Sequence, residues 1–159
     1  MANTNLEVAV NNQTRTRVDK KLVKTAVGAV LRGEARKKSE FGMAVSVVFV
    51  GVGRIRALNK KYRRIDAPTD VLSFCESEAA GFPADNTAQR KYLGEIVINL
   101  DQVKKNARAG QKTDRAELAW VVIHGILHLI GFDHKKAGEA AVMRKKEAKY
   151  LSAIGLKTR

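Results

Sequence analysis

The three histidines of this chain, His124, His128 and His134, all lie within eleven residues. The first two are four residues apart in an apolar stretch. On a helix that spacing turns the chain by about 40° and raises it by about 6 Å, so both imidazoles point from one face. Gly131 can end the helix with a left-handed residue and turn the chain back. We therefore expect a buried helix and a glycine turn that bring the third imidazole to the first two.

Three neutral imidazoles with a fourth position open are typical of a catalytic zinc site rather than a closed structural one. The pair His124 and His128 alone also fits packing or surface roles, because so short a motif recurs by chance. The third histidine after a glycine, and the lack of histidine elsewhere, favour metal binding. Zinc is the default for such ligands, although nickel, copper and other divalent ions accept imidazole. A metal so held lowers the pKa of bound water towards about 7.

Hydrophobic periodicity predicts one α+β domain over residues 1–159, with roughly four strands in a mixed sheet and about five helices. The predicted strands cover residues 6–10, 43–52, 71–75 and 94–99. The predicted helices cover residues 18–33, 54–64 and 100–109, a central buried helix through 120–130 that carries the first two histidines, and an amphipathic helix over 138–154. Residues 76–92 lack periodicity and are predicted to form a loop.

Several local features follow from residue type. Asp114 and Glu117 are predicted to cap the central helix, while Asp66 and Asp70 are predicted to shape the turn around Pro68. The single cysteine, Cys75, is predicted to be a small buried strand residue. On the last helix, five side chains are predicted to be buried: Ala141, Met143, Tyr150, Leu151 and Ile154.

The charge is unusual, because 30 lysines and arginines oppose 16 acids and give a net charge of +14. Residues 1–64 hold 15 of the basic residues and only 4 of the acids. Such an excess favours a polyanion such as nucleic acid, although a solvated surface or anionic lipid fits it too. The apolar runs are too short to span a membrane. One cysteine and no visible secretory signal predict a cytoplasmic protein.

Zinc peptidases of the H-E-x-x-H kind are the obvious alternative. In those enzymes the general-base glutamate follows the first histidine, and here that position is Gly125. The rest of the pattern, with a glycine turn before the third histidine, is similar to the metzincin arrangement and predicts a zincin-like metal helix. A shared metal geometry is compatible with a different reaction.

The run from His124 to His134 resembles the H-G-x-L-H-L-x-G-x-D-H signature of the YbeY family of endoribonucleases. Residues 58–63 (Leu-Asn-Lys-Lys-Tyr-Arg), with Asp66, Pro68 and residues 69–74 (Thr-Asp-Val-Leu-Ser-Phe), resemble a second stretch of that family, and residues 93–96 (Leu-Gly-Glu-Ile) a third. The similarity spans most of residues 40–150. It departs at Cys75, where many members have proline.

The resemblance implies an α+β domain with one Zn²⁺ per chain on His124, His128 and His134. It also implies cleavage of single-stranded RNA, with roles in 16S rRNA 3′-end maturation and ribosome quality control. RNA, especially rRNA, and the small ribosomal subunit or its assembly factors are then the expected partners. The family's functional arginine falls on Arg63. A metal-bound hydroxide, or a metal-activated ribose 2′-OH, is expected to attack the phosphorus.

The residues themselves suggest further roles. Arg63 presents a planar fork suited to phosphate, although a solvated basic face, or Arg64 as the working residue, also fits the sequence. Asp133, Glu95 and Asp70 are candidates for holding a ligand histidine or contacting substrate, and Glu95 is also a candidate for taking a proton. For Asp133, a role as a simple turn residue fits the sequence equally well. A non-catalytic, metal-stabilised RNA-binding or ribosome-binding factor is the alternative to an enzyme.

Overall fold

A computed structural model of the chain describes residues 5–34, 42–76 and 90–157. These residues form four strands and five helices in one α+β domain, as predicted. In chain order the elements are β1 (Leu6–Asn12), α1 (Lys20–Glu34), β2 (Gly42–Phe49), α2 (Val52–Arg63), β3 (Val71–Cys75), β4 (Arg90–Ile98), α3 (Leu100–Ala109), α4 (Asp114–Leu129) and α5 (Ala137–Ala153).

The four strands form one mixed sheet in the order β1-β2-β4-β3. Strands β1, β2 and β4 are parallel neighbours, whereas β3 runs antiparallel to β4 at the edge. Side chains alternate between the two faces of a strand. Ile96 and Ile98 accordingly join one apolar cluster, while Val97 between them joins another.

Helices cover both faces of the sheet. The larger core contains buried side chains of α1, α4 and α5 together with one face of β2 and β4. The smaller core contains Ile55 of α2 and the opposite face of the strands. The middle of α4 is fully enclosed in the larger core, with Val121, Val122 and Ile123 at 0% exposure. The prediction of a central buried helix is therefore confirmed, and the histidines have a rigid support.

Strand β4 is longer than predicted. Residues 90–92, assigned to a loop by their polar composition, pair with β2 and begin the strand at Arg90. Backbone pairing with β2 thus extends the strand into a segment that lacks apolar alternation, and the Arg90 guanidinium also contacts the carboxylate of Glu7 on β1. Residues 77–89 of the predicted loop, and the basic loop predicted at residues 36–38, lie outside the described residues.

Three local predictions were wrong. The cap of α4 is Thr113, whose side chain accepts a hydrogen bond from the backbone N–H of Ala116, while Asp114 is the first helical residue. Cys75 is exposed, because it ends an edge strand. Ala141 is exposed on α5, although Met143, Tyr150 and Leu151 are buried as predicted. Among the described residues, no helix combines the length and apolar character needed to cross a bilayer.

Candidate metal centre

Helix α4 presents the first two histidines from the C-terminal half of its buried length. Nε2 of His124 and Nε2 of His128 lie 3.1 Å apart, and their ring centroids are 4.6 Å apart. Both side chains are half-buried, in contrast to the enclosed residues of α4 that face the sheet. The i, i+4 spacing therefore places both imidazoles on one edge of the helix, as predicted.

The third histidine arrives through a glycine turn. Gly131 has a φ of +103°, in the left-handed region. The backbone N–H of Phe132 donates to the carbonyl of Leu127 at 3.0 Å and closes the end of α4. The ring of His134 then lies 5.7 Å from that of His124 and 5.1 Å from that of His128. The predicted turn is confirmed, and it brings all three rings together.

The three imidazoles fit a single metal ion. One nitrogen from each ring lies within 4.8 Å of the others. A tetrahedral ion with metal–nitrogen bonds of about 2.0–2.1 Å needs its ligand nitrogens about 3.3 Å apart. The separation of 3.1 Å between His124 and His128 is close to that value. Small side-chain rotations of His134 would complete the set, because this residue is exposed.

Burial favours the neutral form of His128, the second of the three histidines. It lowers the pKa of His128 below its ordinary value, and the neighbouring His124 and His134 lower it further because a charged imidazole would repel theirs. A neutral imidazole offers the lone pair that a metal requires. The site is therefore disposed to bind a cation at neutral pH.

A buried carboxylate from α5 holds the first ligand. Oε1 of Glu147 lies 2.7 Å from Nδ1 of His124. The Glu147 side chain is only 9% exposed, and that of His124 is 17% exposed. Metal-ligating histidines commonly donate their second N–H to a carboxylate, which fixes the ring and its tautomer. This pair leaves Nε2 of His124 to face the other two histidines.

The histidines line a pocket of about 440 Å³ that Arg63 also enters. Nη2 of Arg63 donates to the backbone carbonyl of Ser73 at 2.9 Å, and the guanidinium lies 5.3 Å from the centre of the Phe74 ring. Arg64, the other candidate, is the left-handed residue that ends α2, with a φ of 61°, and it does not line this pocket. Of the two arginines, therefore, only Arg63 is placed by the geometry to contact a group bound in this pocket.

Strand β3 connects the arginine to the metal helix. Ser73 accepts from Arg63 through its carbonyl, and its hydroxyl donates to the carbonyl of Gly125 at 3.1 Å. A Cβ on Gly125 would lie 3.1 Å from Ile96 and 3.3 Å from Val71. A side chain at position 125 would therefore push into the β3–β4 surface. Position 125, where zinc peptidases carry the general-base glutamate, is thus packed closely against the strands.

The turn before β3 is built by the two predicted aspartates. Asp66 accepts from Arg56 at 2.8 Å and from Lys60 at 3.1 Å, and these bonds hold the pKa of its carboxyl below the ordinary value. Asp70 lines the pocket, where Oδ1 accepts from the backbone N–H of Val71 at 2.8 Å and Oδ2 accepts from Asn106 at 3.2 Å. Both carboxylates shape the turn, as predicted.

The two other acidic candidates take different positions. Asp133 accepts from the backbone N–H of His134 at 2.7 Å, and that bond lowers the pKa of its carboxyl. Its observed bond thus supports the loop that presents His134. Glu95 alternates with Ile96, so it lies on the α2 face of the sheet, opposite α4. The structure therefore brings Asp70 to the pocket and places Glu95 away from it.

Two residues of the centre were missed by the sequence analysis. Trp120 stacks on His124 with ring centroids 4.8 Å apart and an interplanar angle of 28°. Its position four residues before His124 on the same helix was the available signal. Glu147 falls in the apolar stripe of α5 with Met143 and Tyr150. A glutamate in such a stripe indicates a buried carboxylate, but the sequence does not identify its partner.

Comparison with known proteins gives one consistent family. A family model described as Endoribonuclease YbeY matches residues 8–155. The chain is 38% identical over 152 residues to Endoribonuclease YbeY of Roseiflexus castenholzii, covering 95% of this chain and 93% of that protein. It is 36% identical over 149 residues to the same-named protein of Carboxydothermus hydrogenoformans, covering 92% and 95%. The solution structure of TM1509 from Thermotoga maritima matches with a TM-score of 0.59 and 29% identity, covering 92% of this chain and 88% of that one.

Proposed function

Since the chain belongs to the YbeY family of endoribonucleases, we propose that it cleaves single-stranded RNA with one Zn²⁺ held by His124, His128 and His134. The observation that carries the proposal is the convergence of these three imidazoles with Arg63 in one pocket. Imidazole donors suit zinc, and three of them leave a coordination position for substrate or water.

A bound divalent ion would supply a Lewis acid for a phosphoryl oxygen and lower the pKa of a water or ribose hydroxyl. The chain's own residues orient the metal ligands. Glu147 orients His124, and Asp133 supports the turn that carries His134. Trp120 stacks on one face of the His124 ring. These contacts orient the ring of His124 and the backbone at His134 before substrate arrives.

Arg63 binds the phosphate in this proposal. Its guanidinium is held by the Ser73 carbonyl and by the Phe74 ring, and both contacts come from strand β3. A planar fork suits two phosphate oxygens at once, and a fixed fork loses little freedom on binding. As negative charge develops on the phosphate oxygens, a cation already in place stabilises it without reorganisation.

The size of the pocket supports a single strand as the substrate. Its volume of about 440 Å³ lies in the range of small-ligand clefts, a size suited to a nucleotide rather than to a duplex. In A-form RNA the scissile phosphates follow a wide double helix, whereas an unpaired strand can turn into a cleft. The net charge of +14 supports attraction of such a strand from solution.

The biological substrate that we propose is rRNA. The resemblance of residues 124–134 to the family signature implies 16S rRNA 3′-end maturation and ribosome quality control. Small-subunit components or assembly factors would then be partners, and the cytoplasm, where ribosomes are assembled, would be the site of action. The attacking group is either a water or the 2′-OH of the substrate itself. Attack by water hydrolyses the phosphodiester directly, whereas attack by the 2′-OH leaves a cyclic-phosphate product.

One experiment tests the proposal. Purified wild-type protein and His128→Ala are compared for metal content by elemental analysis and for cleavage of a single-stranded RNA. We expect about one zinc per wild-type chain with cleavage, and loss of both in the variant. Equal cleavage by the two proteins, with contaminating nuclease excluded, overturns the metal's role. RNA binding by both without cleavage by either favours the non-catalytic, metal-stabilised factor.

A further inference from the structure

A second cavity lies behind the metal pocket, between α4 and α5. Its volume is about 290 Å³, and its walls include Lys112, Arg144 and Lys157. The three cations come from separate segments: the residues before α4, the middle of α5, and the chain after α5. Leu151 of α5 contributes to an apolar floor. The cavity therefore combines positive charge with a surface on which a flat group can rest.

The two cavities share a wall. Trp120 lines both of them, and its indole stacks on the ring of His124 at 4.8 Å. Glu147 also lines the second cavity, while its Oε1 lies 2.7 Å from Nδ1 of His124. The second cavity therefore lies next to the metal pocket, with Trp120 as the side chain common to both.

The charge of this cavity selects an anion. Three cations face one carboxylate, and that carboxylate, Glu147, is 9% exposed and bonded to His124. Lys112 lies 3.4 Å from Glu117 and 5.8 Å from the centre of the Trp120 ring, so its ammonium stays at the tryptophan wall. Arg144 and Lys157 are exposed on the remaining sides. Both residue types bind phosphate, Arg through its planar fork and Lys as a point charge.

We propose that this cavity binds a nucleotide of the RNA strand that flanks the phosphodiester cut at the metal centre. The inference rests on the proposed function and names a second contact for the same substrate. The phosphate lies among Lys112, Arg144 and Lys157, and the base or ribose rests against the indole of Trp120 and on Leu151. An aromatic ring beside basic groups is the usual platform for an unpaired nucleotide.

The test measures RNA binding by metal-free protein, so that cleavage does not interfere. Affinity for a fluorescent single-stranded oligonucleotide is determined at several salt concentrations. The variant Arg144→Gln/Lys157→Gln is compared with Lys105→Gln/Lys145→Gln, which removes the same charge from exposed residues of α3 and α5 that line neither cavity. Removing one ionic interaction with a phosphate should reduce the slope of log affinity against log salt by about 0.7.

We expect weaker binding and a flatter slope for the Arg144/Lys157 variant than for its control. Equal slopes for the two variants, with a wild-type protein that cleaves RNA when loaded with zinc, overturn the second site and leave the proposed function standing. A wild-type protein that neither binds nor cleaves RNA overturns both. Binding without cleavage overturns only the proposed reaction, and the slope comparison still decides the second site.

Discussion

Oε1 of Glu147 on α5 lies 2.7 Å from Nδ1 of His124 on α4. This single contact joins the last helix of the domain to the metal-binding helix. Because Nδ1 is engaged by the carboxylate, Nε2 is the nitrogen that faces His128 and His134. The packing of α5 therefore decides how the first ligand is presented, although none of the three histidines lies on that helix.

Replacing Glu147 should weaken metal binding while the fold is retained. Loss of a carboxylate that orients a ligand histidine costs about 10-fold to 100-fold in metal affinity. We expect Glu147→Ala to lie in that range and Glu147→Gln to lose less, because an amide oxygen still accepts from Nδ1–H. Zinc competition with a chromophoric chelator measures the affinity. Glu139→Gln, on the exposed first turn of α5, is the matched control. Unchanged zinc affinity in Glu147→Ala would show that the contact does not orient the ligand.

Arg63 and Arg64 should differ sharply although they are neighbours in sequence. Arg63→Gln removes a cation from the pocket, whereas Arg64→Gln removes the same charge from the residue that ends α2. Loss of one group that stabilises transition-state charge costs about 10²-fold to 10³-fold in rate. We expect that loss in kcat for Arg63→Gln, with zinc content unchanged, and near wild-type cleavage for Arg64→Gln. The reverse order would assign the phosphate contact to Arg64.

The metal ligands could be predicted from the sequence because their geometry is local. Four residues of helix fix the relation of His124 to His128, and Gly131 fixes the turn that returns His134. The exposure of Cys75 and the partner of Glu147 depend on tertiary packing, which spacing along the chain does not encode. Glu95 shows the same limit. Its strand was predicted, but the face it occupies depends on which side of the sheet receives α4.

Alkylation of Cys75 should block RNA cleavage. This residue is the only cysteine of the sequence, it is exposed, and it lines the pocket with Arg63 and the histidines. A maleimide adduct would occupy space that the proposed RNA strand crosses. We expect the modified wild-type protein to lose most of its cleavage while it retains zinc, and Cys75→Ser to remain active and insensitive to the reagent. Mass spectrometry confirms a single adduct. Full activity of the fully modified protein would place the strand away from Cys75.

Glu95 should make the stability of the domain depend on pH in the sense opposite to an ion-paired carboxylate. The residue is 6% exposed, and its Oε2 has no hydrogen-bond partner among the described residues. Burial raises the pKa of the Glu95 carboxyl above its ordinary value, and only the charge of Arg54 opposes the shift. The folded protein therefore holds the proton of the Glu95 carboxyl more tightly than the unfolded chain does.

As pH rises from the ordinary glutamate pKa through the raised folded pKa, the free energy of unfolding should fall, because the folded state must give up a proton that it favours. The loss is about 1.4 kcal/mol for each unit by which the folded pKa exceeds the unfolded one. Glu95→Gln lacks this titration. The difference in unfolding free energy, variant minus wild type, should therefore grow with pH over that window and then become constant. Urea unfolding between pH 4 and 8 measures it, with the exposed Glu139→Gln as control. Any fixed cost of burying the amide shifts the plot of this difference against pH without changing its slope. A difference in unfolding free energy that stays flat across the window would show that Glu95 ionises as readily in the folded protein as in the unfolded chain.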